Sequence, residues 1–258
     1  MAVETANQRR EDPPAKAVLR RARAILQSYD ATSSSLGISE LARRSGLPKA
    51  TVHRLVQELV TCDLLERDGH RYRLGPWLYE LGQRAPAHRL LRVAAAPYLD
   101  DLSHVTQEIA LLVVPGRDGM LFTEKYVGSR GRGHIATQFD GRAPMYCAAS
   151  GKVILAFGPP ERVDELCAAG LDGWGCYPGT SPRQLRAELS EVRRQGYATT
   201  RLNIGIEYLA IAGPVWLAGR VVAGLSVVAP TGRLDVNRYS PVLLMACDGL
   251  SRSLRGGR

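Results

Sequence analysis

No run of about eighteen or more apolar residues occurs in the 258-residue sequence, so no segment reads as a membrane-crossing helix. The first fourteen residues, MAVETANQRREDPP, hold two prolines and no apolar segment, which excludes a secretion signal and leaves a tail expected to be disordered over 1–14. Neither a membrane span nor a secretion signal is expected. Cysteine is sparse and scattered: Cys62, Cys147, Cys167, Cys176 and Cys247 form no C-x-x-C pair and their total is odd. That argues against a disulfide framework and a zinc site, and for reduced thiols in a cytoplasm, packed as small apolar residues.

The usual signatures of catalysis are missing as well. Gly151-Lys152 is no phosphate loop, because Tyr146 stands where the earlier glycine belongs and Val153 where Ser or Thr belongs. The glycine-rich stretch Gly128 to Gly133 follows no long buried strand leading into a helix, and reads as a flexible basic loop. No nucleophile elbow surrounds any serine, and His88, His104 and His134 have no partner by motif. The expectation is a protein that is not an enzyme and carries no cofactor or metal, with a ligand-modifying enzyme as a minor alternative. The sequence has no internal repeat.

What is present is positive charge and a helix-turn-helix pattern. The formal net charge is +9, and residues 15 to 61 carry eight basic residues against three acidic ones. Over half of the excess therefore lies in one short segment, which suits a polyanionic partner. Residues 15–29 form an amphipathic helix with Val18, Leu19, Ala22, Ile25, Leu26 and Tyr29 on one side. Ser39 is placed to cap a second helix with Ile38, Leu41 and Ala42 inward, Gly46 to supply the turn, and Pro48 to open a third helix. In that third helix Val52, Leu55, Val56 and Leu59 fall at i, i+3, i+4 and i+7, a single buried stripe.

Opposite the stripe lie Ala50, Arg54 and Gln57, with Thr51 and His53 on its flanks and Lys49 at the exposed start. Arg can donate two hydrogen bonds to guanine and Gln can pair with adenine, whereas Thr and Lys suit phosphates and Ala lets the backbone come close. Arg54 is the first candidate for base reading, followed by Gln57 and His53; Lys49, Thr51 and Arg71 are read as backbone contacts. A hairpin follows, 64–67 and 71–74 about an Asp68-Gly69 turn, whose tip would carry Arg67, His70 and Arg71 toward a sugar-phosphate backbone. An ordinary helical hairpin with a solvated outer face is the bland alternative.

Residues 76–105 read as helices linking this unit to a second domain, with a break near Pro97. From about 107 the pattern alternates between strands and helices. EIALLVVP and MLFTEKYV form a hairpin and HIATQF is extended; helices cover Cys147 to Phe157, 160–169 and Pro182 to Gln195; two apolar strands meet at Ala218-Gly219; and a helix spans Asn237 to Leu254. The fold class is α+β, with antiparallel strands and grouped helices.

These segments together resemble the isocitrate-lyase-regulator (IclR) family of bacterial transcription factors across roughly 15 to 255. The resemblance is carried by GLPKATVHRL at 46–55, YRLG at 72–75, APMYCAASGKVILA at 143–156, RRQGYA at 193–198, AIAGPV at 210–215 and VVAGLSVVAP at 221–230. It implies a winged helix-turn-helix over 15–75, linker helices over 76–105 and a GAF-like effector-binding domain over 90–258. Members pair as dimers or tetramers on double-stranded operator DNA, repress or activate operons, and respond to small metabolites.

The family's pocket carries over unevenly. Ala149 and Ser150 keep the small-residue turn before a helix whose N–H groups can hold a carboxylate. Positions that the resemblance makes an acid and a cysteine are Thr200 and Ala210 here, Glu207 and Asn203 replace a glycine and a glutamate, and one of two serines is kept as Ser226 while the other is Val228. With Ile135 and Tyr208 beside them, such a pocket would favour an aromatic or other partly apolar metabolite over a two-carbon acid. A degenerate domain without a ligand is the competing reading. For the whole protein the alternative is a small-molecule sensor acting through protein partners, its winged unit used for dimerisation; the polar face of 49–57 speaks against it.

Overall fold

Two compact units divide the chain at Arg84 and Ala85. The computed structural model describes residues 14–29, 33–83, 86–116, 119–131, 142–173, 179–203 and 206–256. The N-terminal tail up to 13, HIATQF with His134 and Ile135, and Cys176 lie outside these residues, as does the side chain of His88. No helix among the described residues is long and apolar enough to cross a membrane.

In the first unit the elements run α1 Pro14–Leu26, β1 Ser35–Leu36, α2 Ile38–Ser45, α3 Lys49–Thr61, β2 Leu65–Asp68, β3 Arg71–Leu74 and α4 Pro76–Gln83. The α3 stripe Val52, Leu55, Val56 and Leu59 is buried together with Ile25, Leu36, Leu41, Leu65 and Tyr72. Each such aliphatic side chain contributes roughly 1.5–3 kcal/mol by leaving water. Gly46 closes α2 in the left-handed region at φ 69°, where only glycine is unstrained. The β strands form a small sheet in the order β1-β3-β2.

Several local expectations shift. Gly37, not Ser39, precedes the first turn of α2, so Ser39 is inside the helix and the capping position carries no side chain. Pro48 is likewise the residue before α3, its extended ψ of 138° ending the turn. α1 stops at Leu26, and Val18 and Leu19 are 36% and 73% exposed: only the C-terminal half of that apolar face meets the core. In the hairpin Asp68 pairs with Arg71, so the turn is Gly69-His70. Gly69, at φ 60°, takes the first central position of a type II′ turn, which matches strand twist better than Asp68 could. Cys62 is exposed, since it follows the last turn of α3 rather than facing the core.

The second unit contains α5 Pro86–Thr106, β4 Ile109–Gly116, β5 Gly119–Val127, β6 Arg142–Ala143, α6 Ala149–Phe157, α7 Pro160–Ala169, α8 Pro182–Gln195, β7 Ala198–Asn203, β8 Glu207–Leu217, β9 Arg220–Pro230 and α9 Val236–Gly256. Its antiparallel sheet has the order β6-β5-β4-β9-β8-β7. One face carries Ile109, Leu111, Val113 and Ala210 beneath α6, α7 and α8; the other carries Ala110, Leu112, Ile211 and Val227 against α5 and α9. Because both faces are covered, the strands read as nearly continuous apolar runs. Ala218 and Gly219, at φ 49° and 75°, make the type I′ turn between β8 and β9.

Helix α5 continues through Pro97 without the expected break. The carbonyl that loses its helical donor to the proline belongs to Val93, which is 69% exposed, so the helix can pass Pro97 on its solvent side. Ser181 caps α8 by accepting from Gln184 N at 3.2 Å, Pro182 opens it, and Gly196 ends it at φ 84°.

Candidate nucleic-acid interface and ligand cavity

On α3, Lys49, Ala50, His53 and Arg54 are exposed, Thr51 is half-buried, and all five belong to the N-terminal two turns. Arg54 donates to Glu58 at 2.6 Å with both side chains more than half exposed. Such a surface pair is worth less than about 1 kcal/mol, so Arg54 can exchange it for another partner at little cost. The Arg71 guanidinium donates twice to Ser35 O, at 3.0 and 2.5 Å, and thereby fastens β1 to the wing. Arg67 is exposed, with its guanidinium carbon 5.9 Å from the Tyr72 ring centroid. His70 is exposed at the tip of the turn.

Two features differ from the sequence reading. Gln57 is half-buried and engaged at both ends of its amide, donating to the Tyr72 hydroxyl at 3.2 Å and accepting from Arg67 at 3.3 Å. Arg43 and Arg44, counted in the basic excess, both pair with Glu40 at 2.6 and 2.7 Å, and Arg44 also reaches Ser28 O at 3.0 Å and Ser33 Oγ at 2.8 Å. Hydrogen bonds from the two arginines hold the Glu40 carboxyl at about 2. These arginines brace α2 against the segment after α1, so less of the basic excess than its tally suggests is free to face DNA.

In the second unit, strand register sets one row of side chains across the sheet: Thr200 lies opposite Ala210, Ala210 opposite Val228, and Val228 opposite Ile109. The next row is Ala198, Ala212, Ser226 and Leu111. Ala149 and Ser150 begin α6 over β9, where a Cβ on Gly224 would lie 3.0 Å from the Ser150 Cβ. Gly151 allows the same close approach: a Cβ there would lie 2.1 Å from Met145 O. Ala148, at the capping position of α6, has no side-chain acceptor for the first-turn N–H groups.

A cavity of about 760 Å³ opens between β7, α6 and α8, walled by Tyr146, Cys147, Lys152, Thr180, Glu188 and Thr200 among others. Lys152 Nζ meets Glu188 at 2.8 Å and is only 13% exposed. Tyr146 donates to Asp172 O at 2.9 Å, and burial pushes its phenol upward, with Cys147 and Asp172 adding to the shift. Thr200 Oγ1 and Thr180 Oγ1 are buried without a hydrogen-bond partner among the described residues.

Of the eight residues expected to hold an effector, Thr200 lines this cavity. Ala149, Ser150, Tyr208, Ala210, Ser226 and Val228 are buried in the layer around it, and Ile135 lies outside the described residues. Burial raises the Tyr208 phenol, partly offset by Arg233, which forms a 3.1 Å ion pair with the buried Glu108. Lys152, Thr180 and Glu188 escaped the sequence reading. Lys152 is visible in the pair Gly151-Lys152, whereas Glu188 on α8 and Thr180 just before that helix reach the site only through tertiary packing.

Known proteins give a consistent answer. Residues 18–69 match the IclR helix-turn-helix domain, and residues 83–252 match the bacterial transcriptional regulator IclR C-terminal domain. The chain is 28% identical to the Pca regulon regulatory protein of Pseudomonas putida over 251 residues, 95% of this chain and 86% of that one. It is 30% identical to the HTH-type transcriptional regulator XynR of Escherichia coli (strain K12) over 244 residues, 91% and 95% of the two chains. Among solved structures, an IclR homolog from Microbacterium hydrocarbonoxydans complexed with 4-hydroxybenzoate superposes with a TM-score of 0.80 at 30% identity, covering 93% of this chain and all of that one. The chain therefore belongs to the IclR family of bacterial transcriptional regulators, a DNA-binding winged helix-turn-helix joined to an α+β effector-binding domain.

Proposed function

We propose that this regulator binds an operator through Lys49, Ala50, Thr51, His53 and Arg54 on α3 and Arg67 and Arg71 on the wing, and that an aromatic or other partly apolar metabolite in the second unit adjusts that binding. Arg54 reads a base edge, and Lys49, Thr51 and Arg71 fix the protein on the phosphates. Thr200 offers the ligand a hydrogen bond, and Ala187 and Val192 of α8 line the same cavity with apolar surface.

The observation that carries the ligand class is the cavity of about 760 Å³, which has room for an aromatic acid and lies within the range of drug-sized ligand sites. The complex of the Microbacterium hydrocarbonoxydans relative with 4-hydroxybenzoate supports the same class. The ligand acts only through a difference in its contacts between two states of the chain. The protein works as a dimer or tetramer in the cytoplasm; exposed Val18, Leu19, Trp77 and Tyr79 on the first unit support self-association. Its role is regulation without catalysis.

Calorimetry with 4-hydroxybenzoate, benzoate, pyruvate and glyoxylate tests the ligand class. Binding of the aromatic acids with a matching change in DNA affinity is the expected result. Tight binding of glyoxylate or pyruvate with none of the aromatic acids would overturn it.

A further inference from the structure

Three side chains at the joint between α3 and the wing form a closed triangle. Gln57 donates to the Tyr72 hydroxyl at 3.2 Å, Arg67 donates to Gln57 Oε1 at 3.3 Å, and the Arg67 guanidinium carbon lies 5.9 Å from the Tyr72 ring centroid. Tyr72 is the fixed corner: it is 7% exposed, belongs to the core of the unit, and faces Arg67 directly across the β2–β3 pair. Arg67 is the exposed corner and Gln57 the half-buried link. The orientation of the amide follows from chemistry. A guanidinium only donates, so it takes the amide oxygen, and the amide nitrogen is left to donate to the tyrosine oxygen.

We infer that Gln57 and Tyr72 are positioning residues that hold the wing arginine Arg67 ready for a phosphate, and that Gln57 is not a base reader. A glutamine that recognises adenine needs its amide oxygen and nitrogen free for the base, and here both are engaged inside the protein. A long arginine loses many rotamers when it docks; ordering it on a tyrosine face and an amide beforehand removes part of that loss from the binding step. The triangle also fixes the distance between the groove-facing helix and the wing, so the two contacts engage in one geometry. The inference rests on the DNA-binding role of the winged unit.

The test measures fluorescence anisotropy of the full chain on a random duplex across a salt series, where a phosphate contact shows without knowledge of the operator. Gln57→Met keeps length and packing but removes the amide, and Tyr72→Phe keeps the ring but removes the hydroxyl. Arg67→Ala is expected to weaken binding about threefold to tenfold and to lower the salt slope by about one. Gln57→Met and Tyr72→Phe should each weaken it about twofold to fourfold with the slope retained, because the charge remains. In an Arg67→Ala background neither should cause a further loss, since the group they position is gone. Losses that multiply in the double variants, or a Gln57→Met protein that binds random duplex as wild type does, would overturn the inference. Failure of the wild type to bind any duplex at low salt would instead overturn the DNA-binding role itself, and the inference with it.

Discussion

Thr200→Val should strengthen the ligand-free protein and weaken its ligand complex at once. Thr200 is 8% exposed on β7, and its hydroxyl has no hydrogen-bond partner among the described residues. Valine has the same shape and is equally suited to a strand, so the substitution removes one unpaired buried oxygen and adds one methyl beside Ala210. An unsatisfied buried polar group costs about 1–3 kcal/mol. Taking the lower end, because water reaches a cavity of this size, the second unit should gain about 1 kcal/mol and melt about 2–4 °C higher. The same hydroxyl is the partner proposed for the ligand, whose lost hydrogen bond is worth about 0.5–1.5 kcal/mol, roughly twofold to twelvefold in Kd. Scanning calorimetry of the ligand-free chain and titration with the tightest-binding acid of the panel read the two effects separately. A variant that melts lower than wild type and binds with unchanged affinity would refute both the burial argument and the place of Thr200 in the site.

Arg54→Ala should leave stability within about 0.5 kcal/mol, since its present partner Glu58 is exposed, yet cost roughly 1–3 kcal/mol on the operator and relax one base position. Arg71→Ala should weaken all sequences alike and flatten the salt slope by about one; equal losses on operator and random DNA for both variants would show that Arg54 reads no base. Gly151→Ala would drive a methyl to 2.1 Å from the backbone oxygen of Met145, so the second unit should lose stability at or above the upper end of about 1–3 kcal/mol in urea unfolding. Glu40 gives a pH signature. Its folded value, held at about 2, is below its ordinary 4.5, so its contribution to the first unit is present above pH 4.5 and is lost as pH falls toward 2. Glu40→Gln should flatten the melting temperature of that unit across this window, and an unchanged acid profile would show that the Arg43 and Arg44 pairs do not stabilise it.

Nearest-neighbour chemistry made much of this protein legible from its sequence. The α3 stripe, Gly46 at the end of α2, the helix that opens at Pro182, and Ala218-Gly219 between two apolar strands all act within one or two turns of chain, and each stands where that chemistry puts it. Short or shared elements were not legible. β1 and β6 have two residues each and exist only through pairing with β3 and β5, and the hairpin turn shifted by one residue because strand register, not the Asp-Gly pair, fixed it. Exposure was misjudged where a helix face runs past its core, at Val18 and Leu19. Tertiary structure alone decided which polar side chains are free. It joined Gln57 to Tyr72 and Arg67, gave Arg43 and Arg44 to Glu40, and set Lys152 and Glu188 beside Thr180 and Thr200. Periodicity tells which way a side chain points along its own element, but its partner is set by how separate elements pack, and that depends on contacts far apart in the chain.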